Sequence, residues 1–178
     1  SGSNDLTEVI PGLGLTYDVA DDLVVYAGIH RGFSPPRVED VVTNAGGTVD
    51  LDAEESVNWE FGLRGSPAAG LDFDVGAFVM DFENQIVPAS VAGGVGATLT
   101  SAGETRHSGI EASGRFSLRD AGLMQSDDVY FRASLTWVNE AEFVGARFSN
   151  ISGFSGVSVT GNRLPYAPEW IASAAIGY

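Results

Sequence analysis

Between Val57 and Phe82 the chain runs VNWEFGLRGSPAAGLDFDVGAFVMDF, two stretches of strict apolar–polar alternation around a short Ser66-Pro67-Ala68-Ala69-Gly70 connection. Side chains on a strand point alternately to opposite faces, so the period of two makes each stretch a strand with one apolar and one polar face. Val57, Trp59, Phe61 and Leu63 share one face of the first strand, opposite Asn58, Glu60, Gly62 and Arg64. In the second, Leu71, Phe73, Val75, Ala77 and Val79 lie opposite Asp72, Asp74 and Gly76. Pro fixes φ and donates no hydrogen bond, and Gly tolerates positive φ, so the connection reads as a turn. The stretch is a β-hairpin. Few other patterns restrict a fold so strongly, but one hairpin leaves open what each face meets. A soluble antiparallel sheet alternates too. So does a membrane-spanning barrel strand, with apolar residues toward lipid and polar ones toward the lumen over about 10 residues.

The pattern recurs along the chain. Strands are expected at 11–17, 23–31, 105–118, 129–137 and 168–178, which with the hairpin makes about seven. Connections alternate in length: short at 18–22, long at 32–53, short at 65–70, long at 88–103, shorter at 119–128 and long at 139–167. The consecutive prolines Pro35-Pro36 are expected to stop the second strand. A soluble sandwich has no reason to sort its loops in this way, whereas outer-membrane barrels carry short periplasmic turns and long extracellular loops. Trp59, Phe82, Phe116, Trp137, Trp170 and Tyr178 lie toward strand ends, where aromatic girdles form. The expected fold is all-β, an antiparallel transmembrane β-barrel arc. Single-chain bacterial barrels have an even number of strands, so an odd count points to part of a larger barrel.

Composition excludes several classes. With 24 acidic residues, nine basic residues that are all Arg, and a net charge of −15, the chain has no basic face for nucleic acid. There are no cysteines, so neither disulfides nor Cys-based metal sites are available. No apolar run approaches the ~20 residues of a membrane helix. The opening SGSNDLTEVIPG lacks a basic and an apolar segment in the order of a signal peptide, so an exported chain would carry these residues as a mature or internal stretch. Gly93-Gly94-Val95-Gly96-Ala97-Thr98 lacks the Gly-Lys-Ser/Thr of a phosphate loop. The D-x-D pairs Asp50–Asp52 and Asp72–Asp74 lack the rest of a calcium loop. His30 and His107 are too far apart in sequence to mark a metal site or triad. No enzyme activity and no cofactor are expected.

Several segments, in order, resemble the C-terminal half of the barrel of TonB-dependent outer-membrane receptors. They are Tyr26-Ala27 leading to Arg31-Gly32-Phe33-Ser34-Pro35-Pro36, then Trp59-Glu60-Phe61-Gly62-Leu63-Arg64, then Phe82-Glu83-Asn84-Gln85-Ile86. Ser108-Gly109-Ile110-Glu111 and Gly161-Asn162-Arg163-Leu164-Pro165-Tyr166-Ala167-Pro168 follow. The similarity is greatest to the siderophore and ferric-citrate type. It implies a barrel of about 22 strands with a plugged lumen, placed in the outer membrane of a Gram-negative bacterium. The partners it implies are outer-membrane lipid, the plug domain of the same parent chain, the TonB complex and a ferric chelate. It also implies that residues 1–178 are a partial barrel domain, with the plug, the TonB-contacting box and the last strands lying elsewhere in the parent protein. Two other readings predict different things. A self-contained small barrel, serving as anchor or adhesin, would pair its two ends, and a soluble sandwich would pack its apolar faces together.

Candidate residues divide by position. Arg31, Arg37, Arg106, His107 and Arg147 are the candidates for an anionic ferric chelate in the long loops and upper lumen, because Arg donates in a fork suited to carboxylates. Glu39, Asp40, Asp50, Asp52, Glu54 and Glu55 crowd the first long loop and would repel such a ligand. Glu60, Arg64, Asp72, Asp74, Glu111, Arg115 and Arg132 are the expected lumenal, plug-facing set. Arg64 and Asp72 flank one turn and are expected to pair, with Asp74 one step further in. Arg115 and Arg132 are expected to face each other, which requires carboxylates or a plug surface to neutralise them.

Overall fold

A computed structural model describes residues 8–35, 53–88, 99–101, 103–146, 148 and 156–178. Seven strands form one antiparallel sheet: β1 (Gly12–Ala20), β2 (Leu23–Ser34), β3 (Glu54–Ala68), β4 (Leu71–Glu83), β7 (Thr105–Ser117), β8 (Tyr130–Phe143) and β9 (Trp170–Gly177). Their order is β1-β2-β3-β4-β7-β8-β9, each neighbour following the last in sequence. A separate two-stranded piece, β5 (Ile86–Pro88) with β6 (Leu99–Ser101), lies between β4 and β7 in the chain. The described residues contain no helix. The all-β meander is as expected, and its connections keep the expected alternation. Asp21-Asp22, Ala69-Gly70 and 118–129 join strands at one end, and 35–53, 84–104 and 144–169 at the other. The turns at the first end touch: the Ser66 amide donates to the Asp22 carbonyl at 2.9 Å, and the Ser117 amide to the Gly70 carbonyl at 2.8 Å. Gly70 sits at φ 80°, where an L side chain is strained.

Register carries each face across the sheet. Phe61, Ala77, Ile110 and Trp137 follow one another in successive strands on the apolar face. Gly62, Gly76, Glu111 and Thr136 do so on the polar face. Among the described residues the apolar face has no protein partner, with Leu13 75%, Leu15 70%, Phe61 61% and Ile176 73% exposed. Few apolar side chains are buried among the described residues. Ala141, Phe143 and Leu164 form a small cluster with Val138, Val159 and Ala167, where the 156–168 segment folds over the polar face. Arg163 ties that segment down by donating to the carbonyls of Ala167, Val138 and Asn139 at 3.1, 3.2 and 3.5 Å. The stacking of apolar faces that a soluble sandwich requires is absent among the described residues.

Strand limits depart from expectation, and each departure has a cause. β1 continues to Ala20 because an irregularity between Asp18 and Ala20 absorbs the turn. β2 passes through Gly32 to Ser34, ending just before the prolines, because Gly32, Phe33 and Ser34 pair with Ser56, Glu55 and Glu54. β8 reaches Phe143 because a bulge near Asn139 lets the ladder resume, with Ala141 opposite His107. A last irregularity, between Gly65 and Ala68, shifts the β3–β4 register. Because β3 also runs on to Ala68, leaving only Ala69-Gly70 as the turn, Arg64 faces Asp74, not Asp72, and Asp72 faces Arg115.

Close approach of aromatics to bare backbone shapes the polar face. The Tyr26 ring lies over Gly62 and Gly76, so that a Cβ at Gly62 would lie 2.3 Å from the ring carbon Cζ and one at Gly76 would lie 2.8 Å from the hydroxyl oxygen. Tyr130 covers Gly177 in the same manner.

Candidate functional site

The polar face is where charged side chains of four strands converge. The register carries Glu60, Arg64, Asp72, Asp74, Glu111, Arg115 and Arg132 of β3, β4, β7 and β8 onto that one face. A cavity of about 810 Å³ opens over Tyr26, Asn58, Glu60, Asp74, Glu111 and Thr136. A second recess of about 790 Å³ lies toward the short-turn end, among Arg64, Asp72, Arg115, Arg132, Ser134 and Ser173.

Near the short turns the charges are organised around two tyrosines. The Tyr26 hydroxyl donates to Asp74 Oδ1 at 2.7 Å, and the Arg64 guanidinium lies 5.5 Å from the ring centroid. Arg115 and Arg132 are register partners, and each guanidinium lies 5.0 Å from the Tyr130 ring. Carboxylates gather on Arg115: Asp128 at 3.2 Å, Asp120 at 3.6 Å and Asp72 at 4.0 Å. Asp128 is the most enclosed of these, with its side chain 14% exposed. It accepts from the Ser117 hydroxyl at 2.7 Å and from the Arg119 amide at 3.3 Å. The Ser117 hydrogen bond, followed by the Arg119 amide and the nearby guanidiniums, holds the Asp128 carboxyl below the usual carboxylate range. Ser117 is fully buried, and its hydroxyl in turn accepts from the Asp120 amide at 3.1 Å, closing the turn on itself.

At the long-connection end the candidate residues separate. Arg31 pairs with Glu55, and Arg106 donates to Asp81 at 2.7 Å; both pairs lie on the side of the apolar face, at its long-connection edge beside Val57. His107 is on the polar face, half-buried against Phe82 with ring centroids 5.3 Å apart, and 3.4 Å from the Gln85 amide nitrogen. The Thr105 hydroxyl donates to Gln85 Oε1 at 2.6 Å, so Gln85 joins the chain turn to β7. Arg37 and Arg147 lie outside the described residues, as do Glu39, Asp40, Asp50 and Asp52. The structure thus does not bring Arg31, Arg106 and His107 together. No group of three or more His, Asp or Glu side chains placed to hold a metal ion occurs among the described residues. Residue-type reasoning passed over Tyr26, Tyr130 and Asp128. The signal for the tyrosines is an aromatic on a polar face opposite a glycine, which becomes visible only once strands are aligned.

On the apolar face the aromatic residues also sort by height. Trp137 and Trp170 stack at 5.8 Å with planes 20° apart near the long-connection end, where Trp59 also lies. Phe116 and Phe131 are register partners near the short turns.

These features are those of a barrel wall, and comparison with known proteins places them. The whole chain, residues 1–178, matches the family described as "TonB dependent receptor-like, beta-barrel", and the chain belongs to that family. Its members are receptors and transporters rather than enzymes. The pesticin receptor of Yersinia enterocolitica is 26% identical over 175 residues, which cover 98% of this chain and 23% of that protein. Among solved structures, the ferric citrate transporter FecA in its unliganded form superposes with a TM-score of 0.59 at 24% identity, covering 95% of this chain and 23% of that one. The siderophore receptor PirA from Acinetobacter baumannii gives 0.62 at 16% identity, covering 94% and 26%. These two likenesses concern the fold. The chain spans about a quarter of the length of the relatives it matches.

Proposed function

We propose that this chain forms part of the wall of an outer-membrane receptor in a Gram-negative bacterium, one that imports a ferric siderophore or similar chelate with energy delivered by TonB. The observation that carries the reading is the two-faced sheet: an apolar face without a protein partner among the described residues, backed by a face of paired charges. An apolar surface across seven strands, about 29 Å wide at roughly 4.8 Å per strand spacing, is far larger than soluble monomers expose. Along β4, Leu71 to Val79 spans eight residue rises. At ~3.4 Å each and a tilt of ~40°, that is about 21 Å along the membrane normal, close to the ~25 Å apolar band of such barrels. In this reading lipid covers the apolar face, Trp59, Trp137 and Trp170 mark its outer boundary, and the short turns are periplasmic. Residues 1–178 are then a partial barrel domain. Glu60, Arg64, Asp72, Asp74, Glu111, Arg115 and Arg132 line a lumen occupied by the plug domain of the parent chain.

Iron chelates enter the reading through the relatives, which include a ferric citrate transporter and siderophore receptors. His107, on the polar face near the long connections, would meet a ligand directly, and Arg37 and Arg147 remain its loop candidates. Arg31 and Arg106 would act at the rim, where a ligand carboxylate has to displace Glu55 or Asp81. The test is uptake of radiolabelled iron as ferric citrate and as ferric enterobactin. The full-length parent receptor is produced in a host that lacks its own receptors for both, with and without TonB. TonB-dependent uptake of either supports the reading. Uptake that ignores TonB, or an absence of uptake for both chelates and for a wider chelate panel, overturns it.

A further inference from the structure

We propose that Arg132 docks a carboxylate carried by a polypeptide segment seated on the polar face at the short-turn end. The inference rests on the receptor reading above, in which that segment belongs to the plug. The two facing guanidiniums are treated unequally. Arg115 holds Asp72, Asp120 and Asp128, whereas Arg132, exposed and directly opposite, has no carboxylate within 4.0 Å among the described residues. What Arg132 does have is the Tyr130 ring, 5.0 Å away, which orients the guanidinium plane without neutralising it. With the charge of Arg115 already met by its own carboxylates, Arg132 is the guanidinium left to take an incoming anion, and the planar fork of Arg favours a carboxylate.

The ground around Arg132 suits a polypeptide. Ala175 lies opposite it on β9, and the next row holds Ser134 and Ser173, whose hydroxyls are 2.8 Å apart. These side chains are small, so a backbone can approach the sheet closely and meet hydroxyl partners as it does so. A free chelate is a poorer fit, because the site is at the opposite end of the strands from the long connections. Arg64 differs from Arg132 in having Asp74 directly across from it.

The experiment uses the full-length receptor in detergent and follows protease cleavage of the plug at a fixed sub-denaturing urea concentration. Barrel integrity is read separately from heat-modifiable mobility on gels. Arg132→Gln should raise the plug cleavage rate on the order of tenfold, the loss expected for one charge-assisted hydrogen bond. Arg132→Lys should restore most of it, and Arg115→Gln should loosen the 118–129 turn instead. In the wild type, raising NaCl should accelerate plug cleavage, a response that Arg132→Gln lacks. Unchanged plug cleavage in Arg132→Gln overturns the proposal, as does a change confined to barrel mobility, which would put the carboxylate on a neighbouring strand. If Arg132→Gln fails to fold, wild-type cleavage that ignores NaCl overturns it equally. A wild type with no separate plug transition would overturn the receptor reading itself.

Discussion

Substituting Gly62 by Ala tests how the polar face is held together. The added Cβ would lie 2.3 Å from Cζ of the Tyr26 ring, which covers Gly62 and Gly76. The ring has to move, and its hydroxyl then leaves Asp74, to which it donates at 2.7 Å. A hydrogen bond to a charged group contributes about 1.5–3 kcal/mol, and overpacking costs about 1–3 kcal/mol. The conformational gain from replacing glycine in a strand, about 0.5–1 kcal/mol, offsets part of this. The expected net loss is about 2–4 kcal/mol. Gly14→Ala is the matched control, because its nearest atom, the Ala27 carbonyl oxygen, would be 4.0 Å from the new Cβ. That change should leave stability within about 1 kcal/mol, on the stabilising side. Guanidinium unfolding of the detergent-solubilised parent receptor, followed by circular dichroism, measures both. The loss should also vanish in a Tyr26→Ala background, because the clash is then gone. Equal stability of the two alanine variants would refute the reasoning.

Other consequences follow from the same contacts. Asp128 has its carboxyl pKa depressed by folding, so its contribution is present above the ordinary carboxylate pKa and is lost as pH falls through the folded value. Amide exchange across 118–129 should therefore accelerate on acidification below about pH 4, and Asp128→Asn should exchange fast at every pH; a pH-independent wild type would contradict this. Leu164 is 7% exposed in the small cluster. Leu164→Ala should cost about 2 kcal/mol locally, seen as faster protease nicking within 156–168 while global unfolding is unchanged. The Arg106–Asp81 pair is solvent-exposed, with side chains 47% and 40% accessible. Arg106→Ala should thus leave the denaturant midpoint essentially unchanged, and a clear downward shift would show that the pair is shielded.

Much of this was legible in the sequence for a simple reason: a strand facing two different media repeats with period two. Both faces of β3, β4 and β7 follow directly from it, as does the facing of Arg115 by Arg132. Strand ends were less legible, because the ladder continues past the apolar band. Glu54, Glu55 and Ser56 show no apolar alternation, yet they pair with Ser34, Phe33 and Gly32. Bulges were hidden as well. The one near Asn139 inverts the phase of β8, so Ala141 and Phe143 read as loop although they join the polar-face cluster. The continuation of β3 to Ala68 shortened the turn to Ala69-Gly70, so the partner of Arg64 is Asp74 and not Asp72. Candidate ligand residues were the least legible. Arg31 and Arg106 were chosen by residue type, and type does not reveal that Glu55 and Asp81 lie beside them.

The division of labour between the two faces is the centre of the account, and the absence of cysteine from the chain gives a direct way to measure it. Single cysteines placed in turn from Val57 to Leu63 and from Asp72 to Val79 in the full-length receptor can carry a nitroxide label. Relaxation by oxygen, which concentrates in lipid, is then compared with relaxation by a water-soluble nickel chelate. Labels at 57, 59, 61, 63, 73, 75, 77 and 79 should respond to oxygen, and those at the intervening positions to neither reagent strongly or to nickel. A two-residue oscillation of that phase on both strands is the predicted result. Uniform nickel accessibility along both strands, or an oscillation of opposite phase, would contradict it.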